Sequence, residues 1–122
     1  MIKVAVLDDY QNAFQQIIDI KKHKDKFDFN NNIGDWNVAN VENMNSMFYN
    51  ARSFNQNIGS WNTAAVTNMS SMFTAATSFN QDIGLWNTSA VTNFSNMFNG
   101  ASAFNRNIGS WRTAAGINMS NM

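Results

Sequence analysis

The sequence predicts an α/β solenoid, in which each 25-residue coil contributes one short parallel strand and one short helix. The first observation behind this fold class is a constant repeat length. Tryptophan and methionine recur every 25 residues, at Trp36, Trp61, Trp86 and Trp111 and at Met47, Met72, Met97 and Met122. A fixed period of about 20–50 residues is typical of stacked-repeat proteins. We therefore expect about four coils over residues 29–122, the last of them incomplete.

The first half of each copy predicts the strand. Ile33-x-x-Trp36-x-Val38 has the L-x-x-L-x-L spacing of a leucine-rich-repeat strand, with tryptophan as the second anchor. Threonine takes the third anchor position in the later copies. We therefore expect a right-handed, leucine-rich-repeat-like solenoid, with parallel strands at residues 35–39, 60–64, 85–89 and 110–114.

The second half of each copy changes period and predicts the helix. Met44, Met47, Phe48 and Ala51 follow the i, i+3, i+4, i+7 spacing of one helix face. Asn43 precedes this run, and asparagine is a favoured N-cap because its side chain accepts a hydrogen bond from an otherwise unpaired N–H. The same pattern predicts helices at residues 44–51, 69–76, 94–101 and, cut short, 119–122.

Residues that stay the same between copies predict the core. Isoleucine, glycine and tryptophan, together with an earlier phenylalanine, keep their register in all four copies. Identical side chains stacked one above another fill the interior of a repeat protein continuously. The alternative is an exposed aromatic platform for sugars or bases. The strict pairing of the aromatic positions with isoleucine and glycine favours the core.

Asparagine is the polar filler of the repeats, and 21 of its 22 residues follow residue 28. Asparagine side chains pair the N–H and C=O groups of turns and tolerate left-handed backbone, so a structural role is favoured. The alternative is a ligand or cation site built from the column Asn32, Asn57, Asp82 and Asn107. One carboxylate in that row makes a poor calcium site. The sequence predicts no metal site and no cofactor.

Residues 1–28 differ from the rest, because ten of the sixteen charged residues lie there. Residues 2–7 form an apolar run typical of a buried strand, and an amphipathic helix pattern begins at Asp9. We expect this strand–helix segment to cap the first coil, since an open repeat end exposes apolar side chains. His23, the single histidine, lies in a lysine-rich stretch and is predicted to be solvated rather than a base or a ligand.

Composition narrows the classes of function. The formal net charge is zero, so no overall electrostatic attraction to nucleic acid is expected. Cysteine is absent, so thiolate chemistry is not expected. No apolar run approaches the roughly 20 residues of a membrane span, and the N-terminus lacks the pattern of a secretory signal. The chain as it stands is therefore expected in the cytoplasm without membrane insertion, although it is compatible with being a piece of a longer protein.

The N-terminal motif M-I-K-V-A-V-L-D-D-Y-Q-N-A resembles the start of D-isomer-specific 2-hydroxyacid dehydrogenases, over residues 1–28. The downstream sequence has neither a G-x-G-x-x-G fingerprint nor the arginine, glutamate and histidine arrangement of that family's active site. No catalytic or cofactor-binding residue therefore carries over, and no enzyme activity is expected.

A second pattern, F-N-Q-D-I-G-x-W-N-T-S-x-V-T-N-x-S-x-M-F-x-x-A, is complete at residues 79–101. It closely resembles the 25-residue repeats of BspA-like leucine-rich-repeat proteins, the mycoplasma-type surface lipoproteins, and the resemblance covers residues 29–122. It implies a role in surface display, adhesion or protein interaction, a location at the cell surface, and no shared catalytic residues.

The functional prediction is a non-catalytic scaffold for protein–protein interaction or surface adhesion. Alternatives are a truncated or recombinant chain without an evolved function, and a remnant of a 2-hydroxyacid dehydrogenase. The outward-alternating residues of the predicted strands form the candidate contact face: Asn37, Asn62, Asn87 and Arg112. The incomplete last coil also predicts a homodimer through the C-terminal coils, because its apolar end should be covered.

Overall fold

The computed structural model of the chain describes residues 32–116 and 118–122. Within them, successive 25-residue units lie one on another, and equivalent residues of neighbouring units are in contact. The regular elements of the described residues are one 3₁₀-helix at Ile33–Asp35 and isolated parallel bridges, which join Asn43 to Asn68, Asn68 to Asn93 and Asn93 to Asn118. These residues contain no α-helix and no β-strand, so the predicted leucine-rich-repeat solenoid with a strand and a helix in every coil is wrong.

A tryptophan column holds the units in register. It consists of Trp36, Trp61, Trp86 and Trp111, whose consecutive ring centroids are 6.4, 6.4 and 6.2 Å apart. The last three indole N–H groups donate to the isoleucine carbonyl of the preceding unit, at 2.9, 3.0 and 3.0 Å. Leaving such a buried donor unpaired costs about 1–3 kcal/mol. The column therefore adds a hydrogen bond between units to its apolar burial.

Two phenylalanine columns fill the rest of the aromatic core. Phe48 lies 5.6 Å from Phe73 between ring centroids, and Phe54 lies 5.7 Å from Phe79. The two columns also stack on each other, with ring centroids 4.0 Å apart for Phe48 and Phe54. The isoleucine column is buried beside them at Ile33, Ile58 and Ile83. The prediction that like residues stack on like residues inside the core is confirmed.

The predicted helix segments are ribbons of four-residue turns. Met47 N–H donates to Met44 O, three residues back, at 3.3 Å. The next N–H, of Phe48, donates to Met72 O in the following unit at 2.9 Å. This alternation between a local bond and a bond to the next unit recurs along residues 44–51 and 69–76. The helices predicted at residues 44–51, 69–76, 94–101 and 119–122 are therefore absent.

The turn ribbon satisfies the same apolar spacing as a helix, because Met44, Met47 and Phe48 are all fully buried. Serine and asparagine between them compete with helical hydrogen bonds through their side chains. Segments shorter than about 12 residues are also weak helix formers on their own. Left-handed backbone at Ser46 (φ 58°) and Asn50 (φ 57°) interrupts any helix. These residues let alternate N–H groups bond to the next unit.

The predicted strand segments bend instead of extending. Trp36 N–H donates to Ile33 O at 3.1 Å and Val41 N–H donates to Val38 O at 2.9 Å, so two turns follow in quick succession. The same pair of turns recurs in each later unit. Within the described ranges, main-chain bridges between units occur instead at the asparagine column that begins with Asn43. The strands predicted at residues 35–39, 60–64, 85–89 and 110–114 are therefore wrong.

The predicted N-terminal cap, residues 1–28, lies outside the described residues, as does His23. The boundary between a cap at residues 1–28 and a repeat domain at residues 29–122 stays a prediction, and so does the homodimer.

Glycine is required where one unit passes close to the next. A Cβ added at Gly84 would lie 2.7 Å from the backbone oxygen of Asn107, and one added at Gly34 would lie 2.6 Å from that of Asn57. At Gly109 the nearest atom to such a Cβ is a side-chain oxygen, at 3.0 Å. An added Cβ at Gly59 would likewise meet the backbone oxygen of Asp82. Backbone cannot yield as a side chain can, so the unit spacing depends on Gly34, Gly59 and Gly84.

The positions that follow these glycines, called the serine row, are Asp35, Ser60, Leu85 and Ser110, so two of the four residues are serine. Ser60 Oγ donates to Gly34 O at 3.3 Å, and Ser110 Oγ donates to Gly84 O at 2.8 Å. Leu85 takes the equivalent position between them and is 92% exposed. One hydrogen bond of the row is therefore replaced by a large apolar side chain in solvent.

We predict that Gly84→Ala lowers the free energy of unfolding by about 1–3 kcal/mol, because its methyl group would force two backbones apart. Urea denaturation measures the change. Gly109→Ala is the matched control, with an expected loss below about 1 kcal/mol. Equal losses for the two variants would contradict the close approach of the units.

We also predict that Leu85→Ser raises the free energy of unfolding by about 0.5 kcal/mol, because the introduced hydroxyl can donate to Gly59 O as its neighbours in the row do. The same urea experiment applies. Ser110→Ala should lower stability by a similar amount. A Leu85→Ser variant that is less stable than the parent would show that the serine row adds nothing.

Candidate functional site

The candidate contact face consists of four residues at equivalent positions of successive units: Asn37, Asn62, Asn87 and Arg112. The structure leaves all four exposed. Their exposure agrees with an outward position, and their role in contact stays a prediction.

The asparagines of the contact face use their side-chain oxygens inside the fold. Oδ1 of Asn37, Asn62 and Asn87 accepts the main-chain N–H two residues ahead, at 3.1 Å in each unit. Their Nδ2 groups make no hydrogen bond within residues 32–116 and 118–122. The contact face therefore presents side-chain N–H donors to solvent, while its amide oxygens are held by turns.

A shallow polar groove lies at the Arg112 end of the contact face. Its volume is about 310 Å³, and it is lined by Trp86, Asn87, Thr88, Ser89, Ser110 and Arg112. The first four belong to one unit and the last two to the next. The structure thus brings Asn87 and Arg112 together in one concavity, whereas Asn37 and Asn62 do not line it.

The floor of this groove is fixed by hydrogen bonds. Thr88 is buried, and its Oγ1 donates to Arg112 O at 3.0 Å and accepts Arg112 N–H at 3.0 Å. The indole N–H of Trp86 is held by Ile58 O at 3.0 Å. The main chain that carries the arginine therefore cannot shift without breaking bonds to the unit before it.

Arg112 is the cation of the groove. Arg52 Nε donates to Asn50 Oδ1 and Arg106 Nε donates to Asn80 O, both at 2.9 Å. Across the described ranges, no side-chain or main-chain acceptor and no carboxylate pairs with the guanidinium of Arg112. Its five N–H donors are therefore open to a ligand.

The other asparagine columns are structural. Oδ1 of Asn32, Asn57, Asp82 and Asn107 accepts the glycine N–H two residues ahead, at 3.0, 3.0, 3.0 and 2.8 Å. Asn55 Oδ1 accepts Asn80 N–H from the next unit at 2.9 Å, and Asn80 Oδ1 accepts Asn105 N–H at 3.0 Å. The structural interpretation of these columns is confirmed. Over residues 32–116 and 118–122, no group of three or more histidine, aspartate or glutamate side chains could hold a metal ion.

Three members of the tryptophan column are too deeply buried to serve as a stacking platform for sugars or bases. Trp61, Trp86 and Trp111 are 4%, 3% and 8% exposed, and their faces are covered by the neighbouring rings of the column and by phenylalanine. The core interpretation of the aromatic columns is confirmed.

Comparison with known proteins identifies a family and no individual relative. A family model described as Mycoplasma protein of unknown function, DUF285, matches residues 9–122. No curated protein and no solved structure matches the chain. The family match also includes residues 9–28, part of the segment predicted as a cap.

The family match supports the mycoplasma-type resemblance of the repeats, and it indicates no enzymatic family. Leucine-rich repeats and 2-hydroxyacid dehydrogenases form no part of the family's description. Among residues 32–116 and 118–122, no helix has the length and apolar character needed to cross a bilayer. Because the model matches most of its length, the chain belongs to the Mycoplasma protein family of unknown function DUF285.

Proposed function

We propose that this chain is a non-catalytic scaffold whose contact face binds a protein partner. The observation that carries the proposal is the row of exposed side-chain amides with unused donors, repeated at Asn37, Asn62 and Asn87 and ended by Arg112. Donors repeated along a stacked array suit an extended partner, because repeat proteins commonly bind along one long surface.

The rigidity of the array supports the same proposal. Each asparagine is held by a turn hydrogen bond, and each unit is held to the next by main-chain bonds such as Asn50 N–H to Thr74 O at 2.7 Å. A surface that is ordered before binding loses little conformational entropy on association. The exposed side chain of Leu85, next in sequence to groove residue Trp86, adds an apolar contact of the kind found in protein interfaces.

The resemblance of the repeats to mycoplasma-type surface lipoproteins favours a partner at the cell surface. The mycoplasma-type resemblance of residues 29–122 implies display or adhesion, and the matched family carries no assigned reaction. We therefore propose surface adhesion through a protein receptor as the setting in which the contact face operates.

The test replaces amide donors by carboxylates without disturbing the turns. In a triple variant, Asn37→Asp, Asn62→Asp and Asn87→Asp, each new carboxylate can still accept the same main-chain N–H, as Asp82 Oδ1 does for Gly84 N–H at 3.0 Å. Immobilised protein is exposed to cell-surface and matrix proteins, and retained proteins are quantified by mass spectrometry. We predict that a partner held by the parent chain falls at least about tenfold for this variant, because unpaired interfacial charges cost several kcal/mol.

A matched control carries the same charge change in another exposed column, as Asn32→Asp, Asn57→Asp and Asn107→Asp. It should retain the partner at the parental level. Equal retention by all three proteins, or no protein retained by the parent chain, would contradict the proposed function.

A further inference from the structure

We infer that the groove at the end of the contact face binds a carboxylate side chain, carried by an acidic peptide segment of the partner. This inference rests on the proposed function and names the chemistry that the groove recognises. Its starting point is the juxtaposition of Asn87 and Arg112, which line one concavity from two neighbouring units.

Charge sets the sign of the ligand. Arg112 is exposed, and in the part of the chain that the structure describes it has no carboxylate partner, unlike the other two arginines, whose Nε atoms are occupied. Among the described residues, no acidic side chain lines the groove. A guanidinium presents parallel N–H donors that fit the two oxygens of a carboxylate.

The neutral polar groups of the groove also favour a carboxylate, because some of their atoms already make hydrogen bonds and others do not. Asn87 Oδ1 accepts Ser89 N–H at 3.1 Å and Ser89 O–H at 2.7 Å, and the main-chain oxygen of Asn87 accepts Thr63 O–H at 3.1 Å. The acceptors of Asn87 are therefore occupied, and its Nδ2 group is the polar function left for a ligand. A carboxylate oxygen is the natural acceptor for it.

The hydroxyl groups favour a peptide over a bare anion. Ser110 donates its proton to Gly84 O at 2.8 Å, and Ser89 donates its proton to Asn87 Oδ1. Each hydroxyl oxygen then has lone pairs to offer and no proton. An acidic residue in a peptide carries main-chain N–H donors beside its carboxylate, so it can satisfy both the donors and the acceptors of the groove.

The fourth unit differs from the other three at the position of Arg112. The position of Arg112 is asparagine in the three other units, at 37, 62 and 87. The backbone of Arg112 is nevertheless held as firmly as the turn requires, by two bonds to Thr88 Oγ1 at 3.0 Å. An arginine on a fixed backbone, beside an amide donor, converts one position of a neutral row into an anion-binding position.

The size of the groove limits the ligand. Its volume of about 310 Å³ lies at the lower end of the range of roughly 300–1,000 Å³ for small-molecule pockets. It admits one acidic side chain with adjacent main chain. Binding of a short peptide should therefore be weak and should weaken further with salt, because the arginine is exposed.

The experiment is an NMR titration of the full ¹⁵N-labelled chain with an acetylated, amidated tri-glutamate peptide. We expect saturable shifts of the Asn87 side-chain NH₂ and Arg112 Nε–H resonances. A tri-glutamine peptide of the same length and end groups should produce none. Acetate at the same carboxylate concentration should bind at least about tenfold more weakly, because it lacks peptide N–H donors.

Arg112→Asn restores the residue of the other units and should weaken tri-glutamate binding at least about tenfold. Arg106→Gln is the matched control, because it removes the same charge from the same unit and places there the residue found at Gln56 and Gln81. Gln81 Nε2 donates to Asn55 O at 2.9 Å, as Arg106 Nε donates to Asn80 O. This control should stay within about twofold of the parent chain.

The inference is overturned if tri-glutamate causes no shift, if tri-glutamine or acetate binds equally well, or if Arg106→Gln weakens binding as much as Arg112→Asn. The titration needs no partner, so its failure is separate from that of the proposed function. If a partner is captured on the contact face but tri-glutamate does not bind, the proposed scaffold function is supported and the carboxylate site is contradicted.

Discussion

Main-chain hydrogen bonds between neighbouring units set the geometry of the whole structure. Met69 N–H reaches Asn93 O and Phe73 N–H reaches Met97 O, both at 2.9 Å. Such bonds fix the distance and the register between units, so each core side chain lies against its equivalent 25 residues away. The aromatic columns follow from this constraint. So do the close glycine contacts and the donor row of the contact face.

The residues that contact one another could be predicted from the sequence, but the backbone that joins them could not. Apolar residues at i, i+3, i+4 and i+7, such as Met44, Met47 and Phe48, are buried by a helix and by a ribbon of turns alike. The two differ in where each N–H goes, which side-chain pattern does not report. Left-handed backbone at Ser71 (φ 56°) and Ala75 (φ 57°) makes the segment a ribbon of turns and not a helix. This conformation costs about 1–2 kcal/mol for a residue such as alanine. Bonds to the next unit offset that cost.

The candidate site was predicted in part. Asn37, Asn62, Asn87 and Arg112 are exposed, as alternation along the repeat predicts, although the described residues contain no strands. Their role in contact stays a prediction. The groove could not be predicted, because it depends on how Ser110 and Arg112 of one unit lie beside the preceding unit. The signal available in the sequence was the departure from the repeat: arginine replaces asparagine at one position of an otherwise uniform column. The same kind of comparison would have singled out Leu85.

The stacked-turn structure depends most on where the amide groups of the turn ribbons donate their hydrogen bonds. Scalar couplings across hydrogen bonds, detected by NMR in a ¹⁵N,¹³C-labelled chain, report donor and acceptor directly. We predict a coupling between the amide nitrogen of Phe73 and the carbonyl carbon of Met97, which lies in the next unit. A coupling from Phe73 to the carbonyl of Met69, four residues back as in an α-helix, would contradict the stacked-turn structure.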